Sequence, residues 1–167
     1  MAIKRILVPV DFSRDSLKAL AYAKDFAKLF GAELSILYVV EPIYYATPAD
    51  MYVTTPNLSM LLDEQRRIGE QQLARLGADL KKKGQRARTT LKTGAPAQVI
   101  VDTAKSARAD LIIMATHGRT GLAHILMGSV AEKVVRSARC PVLTVRSAIA
   151  KPRPTRKRSA RTTAKRA

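Results

Sequence analysis

Cysteine occurs once in the chain, at Cys140, and tryptophan not at all. A single thiol cannot close an internal disulfide, so a disulfide-stapled scaffold is excluded. Cys140 stands before Pro141 at the entrance to an apolar strand, where a small packed residue fits better than a reactive thiol. Long apolar runs are missing too: no stretch of 18 or more apolar residues exists, which excludes an ordinary membrane-spanning helix. Met1-Ala2-Ile3-Lys4-Arg5 passes directly into a strand pattern without a signal-peptide hydrophobic region, so a cytoplasmic protein is expected.

Acid is scarce. The chain has 13 Asp and Glu against 30 Lys and Arg, a formal charge of +17. Eight of those cations fall in residues 151–167, KPRPTRKRSARTTAKRA, which carry no acid, so residues 1–150 hold 22 cations against 13 acids, a balance of +9. With two prolines and no large apolar residue, this tail cannot bury enough surface to offset its ordering entropy. Residues 147–167 are expected to be a basic, disordered appendage, solvated or in weak contact with nucleic acid or another polyanion through 151–167. What remains, 47% hydrophobic over the whole chain, suffices for one globular domain.

Taken in order, the patterns alternate. Ile3–Val10 reads as a strand, ending in Asp11-Phe12-Ser13. Ser13 is a good N-cap for a helix to about Phe30, with Ala19, Ala23, Phe26 and Phe30 on one face, and Gly31 ends it. Glu33–Val40 is a second strand. Residues 43–57, with Tyr44, Tyr45 and Tyr52, form a long loop. A helix from about Leu58 to Lys82 carries the stripe Gly69, Leu73, Leu76 and Leu80 and ends on Lys81–Lys83 and Gly84. Arg86–Lys92 alternates as a half-buried strand near a sheet edge. Pro96 opens a third helix.

Asp110 to Arg146 follows, the stretch that organises the rest. Leu111-Ile112-Ile113-Met114 is short and unalternated, as for a parallel strand covered on both faces. It empties into a loop with Gly118, Gly121 and Gly128, and Gly128-Ser129 stands just ahead of a helical pattern. Free backbone N–H groups and the positive end of a helix beside a strand end make an anion site. Pro141–Arg146 supplies a fifth strand. The order βαβαβαβαβ implies right-handed crossovers and a five-stranded, mainly parallel sheet with helices on both faces.

At these residues the chain resembles the universal stress proteins. Their nucleotide motif is Gly, two residues, Gly, nine residues, then Gly-Ser or Gly-Thr. Gly118, nine residues, and Gly128-Ser129 match its long half; Ala115 stands where the ATP-binding members have the first Gly. The resemblance spans roughly 1–146 and implies a Rossmann-like, adenine nucleotide alpha hydrolase-like sheet of order 3-2-1-4-5, with ligand in the crevice between strands one and four. It implies ATP, with Mg2+, as the ligand. The adenine would lie near Val39 and Pro9, Asp11 would face the ribose and metal-bridged phosphates, and Met114 and Ala115 would underlie the ribose and α-phosphate. Gly118, Gly128, Ser129 and Val130 would offer backbone N–H groups to the phosphates, with Arg119 as a possible clamp. It further implies a homodimer through Pro141–Arg146.

The residues by themselves leave more open. Asp11 can equally organise its turn, and the glycines can serve close packing. His117 and His124 have no cysteine or acid at ligand spacing. No G-x-x-x-x-G-K-[ST] loop occurs, and neither Ser129 nor Cys140 has a predictable base, so a binding protein with at most slow hydrolysis is expected rather than an enzyme. Two other classes compete: a nucleotide-free interaction module, and a nucleic-acid-associated protein acting through its tail.

Overall fold

The structure, a computed structural model, describes residues 2–42, 56–118 and 127–146. Arg119, His124, the tyrosine-bearing part of the 43–57 loop and the basic tail lie outside the described residues. Nine elements follow in order: β1 Arg5–Val10, α1 Arg14–Phe30, β2 Glu33–Val40, α2 Pro56–Lys82, β3 Ala87–Thr93, α3 Pro96–Ser106, β4 Leu111–Ala115, α4 Ser129–Ser137 and β5 Val142–Val145. They form one five-stranded sheet of order β3-β2-β1-β4-β5, and every neighbouring pair is parallel.

Alternation along the strands distributes the core. Ile6, Val8, Val10, Leu34, Ile36 and Ile113 face α1 and α2, while Leu7, Leu37, Ile112 and Met114 face α3 and α4. β4 is buried along its whole length, as its unalternated sequence requires. On α1 the buried stripe is Ser16, Ala19, Leu20, Ala23 and Ala27. Phe30, expected on that face, is instead 46% exposed. The small alanines let α1 lie close on the sheet, and the larger ring is left at the rim, where it meets Phe26 with centroids 5.8 Å apart. Gly69 does the same for α2: a Cβ there would fall 2.4 Å from the Tyr38 ring.

β1 starts at Arg5 rather than Ile3. Its entry is fixed by Asp110, whose Oδ2 accepts the N–H groups of Lys4 (2.9 Å) and Arg5 (2.8 Å) and whose Oδ1 meets the Arg5 guanidinium at 3.5 Å. Burial raises the Asp110 pKa, but those three donors outweigh it and hold the carboxyl below its ordinary range. At the far end, β1 and β4 separate. The two strands are in register only at Ile6↔Leu111 and Leu7↔Ile112, whereas β1 follows β2 as far as Val10↔Tyr38. Pro9 supplies the cause. Asp110 donates to the Arg5 carbonyl at 2.9 Å, so the two-residue alternation turns the backbone groups of Arg5, Leu7 and position 9 toward β4. Proline has no N–H to give there, and the ladder stops one step before it.

Candidate functional site: the crevice between β1 and β4

The splayed strand ends open a cavity of about 410 Å³. It is lined by Pro9 and Asp11 from β1 and its exit, Val39 from β2, Met114, Ala115 and Gly118 from β4 and its exit, and Gly128, Ser129 and Val130 at the start of α4. These are all the expected site residues except Arg119, which lies outside the described residues. Two segments more than 100 residues apart in the chain thus meet at one opening.

Asp11 has two jobs, one per oxygen. Its Oδ1 accepts the Ser13 N–H at 3.0 Å, closing the turn into α1. Ser13 in turn caps α1 by accepting the Ser16 N–H at 3.2 Å. The buried Ser16 hydroxyl donates to the Ser13 carbonyl at 3.0 Å and lies 3.3 Å from the Asp11 N–H. Phe12, between them, adopts φ +61°, a left-handed conformation that a bulky residue rarely takes; its ring rests on Tyr38, centroids 5.3 Å apart. The turn thus uses Oδ1. The other oxygen, Oδ2, faces Gly118, where a Cβ would sit 2.7 Å from it. Only glycine allows the β4 exit to come so near the carboxylate.

Gly128 is the N-cap of α4 and places no side chain over the helix start. A Cβ on it would come within 3.1 Å of the Thr116 carbonyl. One expectation is corrected here: the Gly128 N–H does not face the crevice as a free donor, because it donates to that Thr116 carbonyl at 2.8 Å. The bond ties the two ends of the 117–127 connection together. Donors for an anion therefore come from Ser129, Val130 and Ala131, the first turn of α4, whose N–H groups have no partner within the helix, with the positive end of its dipole behind them.

Thr116 and His117 line the crevice within the expected stretch Ala115 to Gly118, whereas sequence reasoning missed Glu41, Gln65, Pro96 and Ile100. Thr116 is buried, and its hydroxyl lies 3.0 Å from His117 Nδ1, which brings His117 to the rim of the cavity rather than into open solvent. Gln65 of α2, Glu41 after β2, and Pro96 and Ile100 of α3 close the sides. Only Pro96 carried a signal, as the first residue of a helix that follows a strand end. Among the described residues no group of three or more His, Cys, Asp or Glu could hold a metal ion, and no helix is long and apolar enough to cross a membrane. Cys140 is half-buried; burial chiefly raises its thiol pKa, and the Asp110 charge adds to the rise.

A parallel α/β sheet, a crevice where its strand order reverses, and a glycine-capped helix start facing that crevice define a protein of the doubly wound α/β class. The chain belongs to the universal stress protein family, whose model matches residues 2–146. It is similar to universal stress protein MJ0531 of Methanocaldococcus jannaschii, 40% identical over 144 residues covering 86% of this chain and 82% of that protein. It is also similar to universal stress protein YxiE of Bacillus subtilis, 34% identical over 145 residues covering 85% and 98%. Among solved structures, universal stress protein UspA from Lactobacillus plantarum superposes with a TM-score of 0.77 at 30% identity, covering 87% of this chain and 99% of that one.

Proposed function

We propose that this universal stress protein binds an adenine nucleotide, ATP in the first instance, in the β1–β4 crevice and acts as a sensor or regulator rather than by turnover. The observation that carries the reading is the fit of two glycines. A side chain at 118 would strike Asp11, and one at 128 would crowd the Thr116 carbonyl; between them lies the open first turn of α4. Phosphates fit that turn, the apolar walls from Pro9, Val39, Met114 and Ile100 fit a base, and Asp11 Oδ2 fits a ribose hydroxyl or a Mg2+ carried in on the phosphates. Ala115 takes an ordinary strand conformation, ending β4, so its methyl needs no left-handed backbone and is compatible with a ligand. Binding with at most slow hydrolysis is the chemistry expected of such a site.

In this reading the protein works in the cytoplasm as a homodimer. β5 is the end strand of the sheet, an edge open to pairing with a second copy. Light scattering behind size exclusion is expected to give twice the chain mass, and a monomer would refute this part. The nucleotide reading is tested by calorimetric titration of protein stripped of co-purified nucleotide with Mg-ATP, beside Gly118→Val. Binding present in the wild type and absent in a folded variant supports it. A stripped wild type that takes up no adenine nucleotide overturns it in favour of a nucleotide-free interaction module.

A further inference from the structure

At the opposite end of the sheet, strand starts and helix ends carry cations on both faces, those of α2 on one and those of α3 on the other. α2 ends in Lys81 and Lys82 with Lys83 just beyond, β3 is entered through Arg86, and α3 carries Lys105 in its last turn with Arg108 two residues past its end. All six are exposed. Among the described residues none of them forms an ion pair; of the acids at this end Asp110 and Glu33 are matched with Arg5 and Arg88, and the exposed Asp79 stands on the same last turn as Lys81 and Lys82. Helix dipoles favour cations in a last turn, which accounts for Lys81, Lys82 and Lys105. The end of α1 accounts for Arg86, whose guanidinium donates to the Gly31 carbonyl, but no helix end accounts for Arg108, which lies beyond α3.

Arg108 is the most telling. Three helices finish with the same hydrogen-bonded cap. Ala32 donates to the Ala27 carbonyl after α1, Gln85 to Leu80 after α2, and Ala109 to Ala104 after α3. The residue just before the donor must be left-handed. It is Gly31 (φ +63°) in the first, Gly84 (φ +69°) in the second and Arg108 (φ +50°) in the third. An arginine thus occupies, at a conformational cost, a position that glycine fills at the two equivalent ends.

Beside this end lies a groove on the sheet face that α3 only partly covers. It is lined by Arg5, Glu33, Ser35, Arg88, Thr90 and Thr103 among others, and Lys92 reaches the Thr103 hydroxyl at 2.9 Å. Its two guanidinium groups are paired with Asp110 and Glu33, so the hydroxyls and the unpaired cations of the strand starts and helix ends are the donors left for phosphate and sugar oxygens.

We propose that this basic pole of the folded domain binds the sugar–phosphate backbone of a nucleic acid, independently of the nucleotide crevice. Nucleic acid is the partner favoured because the same chain carries a second cationic segment, residues 151–167, with eight Lys and Arg and no acid. Contacts of Lys and Arg with phosphate carry no sequence information, so recognition is of backbone rather than sequence.

The test uses the full chain and a fluorescein-labelled duplex of about 20 base pairs, long enough to span the pole at about 3.4 Å per pair, with anisotropy read across a salt series. The variant Lys81→Gln/Lys83→Gln/Lys105→Gln keeps helix-forming side chains and removes charge. It is expected to weaken duplex binding about tenfold or more and to flatten the salt slope by up to about 0.9 per lost contact, with Mg-ATP titration unchanged. Arg108→Gly is expected to weaken binding a few-fold while raising the melting temperature, a combination that loss of fold cannot produce. Unchanged affinity and slope in both variants overturn the proposal and leave the tail as the sole contact. Retention by phosphatidylserine vesicles, or competition by poly-glutamate, equal to that of the duplex also overturns it. A wild type that fails to bind the duplex at low salt does so outright.

Discussion

The two ends of the sheet present positive charge in different ways. The crevice end uses backbone: glycines at 118 and 128, the first-turn N–H groups of α4, and strands parted at Pro9. The other end uses side chains: Lys81–Lys83, Arg86, Lys105 and Arg108 on strand starts and helix ends. Backbone donors are fixed in place and suit one ligand of defined shape. Long cationic side chains are adaptable and suit an extended partner whose charges repeat. The fold sets this polarity, because parallel βα units point every helix start toward one end and every helix finish toward the other.

Breaking the backbone end should have the largest effect. Gly118→Val drives a branched side chain into Asp11 and is expected to weaken nucleotide binding about hundredfold or more, the equivalent of about 3 kcal/mol, in calorimetry. Gly69→Ala is the comparison on α2, a glycine packed against Leu91 and the ring of Tyr38, itself a crevice-lining residue. Its Cβ would overlap Tyr38, so denaturant unfolding should show a loss of about 1–3 kcal/mol. Pro9→Val restores the missing N–H and should let the β1–β4 ladder run further, narrowing the crevice. Nucleotide affinity is expected to fall about tenfold, roughly 1.4 kcal/mol, without loss of thermal stability; unchanged affinity would separate the splay from the site.

Smaller effects sharpen the side-chain end. Arg108→Gly relieves the left-handed arginine and should raise stability by about 1 kcal/mol, visible as a rise of about 3 °C in Tm. Asp110→Asn addresses the staple between β1 and β4. Its folded pKa is depressed, so the unfolded chain binds the proton more readily and the staple's contribution is complete above the ordinary aspartate range near 3.8. The stability gap between wild type and Asp110→Asn should therefore be full at pH 7 and close as the pH falls below that range. A gap independent of pH would mean that shape, not charge, holds the strand starts together.

Much of this was legible in the sequence where a local rule decides. Ser13 and Gly31 bound α1, Glu33 and Val40 bound β2, and the buried run at Leu111 made β4, because caps, turns and strand patterns act over a few residues. The crevice was legible through the spacing of Gly118 and Gly128. What stayed hidden depends on contacts between distant segments. The engagement of the Gly128 N–H by Thr116, the double acceptance at Asp110 Oδ2 and the exposure of Phe30 follow from how elements dock. The basic pole was hidden for the same reason. Its residues are scattered from position 81 to 108 in the sequence, and Lys81–Lys83 alone look like an ordinary solvated helix end. Pro9 is an intermediate case: a proline inside a central strand is visible at once, but which neighbour loses its donor is settled only by the register.

The account stands on two ends that bind two partners without sharing residues, and amide chemical-shift mapping of the 15N-labelled full chain tests it most directly. Mg-ATP is predicted to move the amides of Gly118, Ser129 and Val130 and leave Lys82, Arg86, Lys105 and Arg108 in place. Subsequent duplex DNA is predicted to move the second set and leave the first saturated with nucleotide. Mg-ATP that shifts the Lys82–Arg108 set while Gly118 and Ser129 stay still, or DNA that displaces the nucleotide, would contradict it.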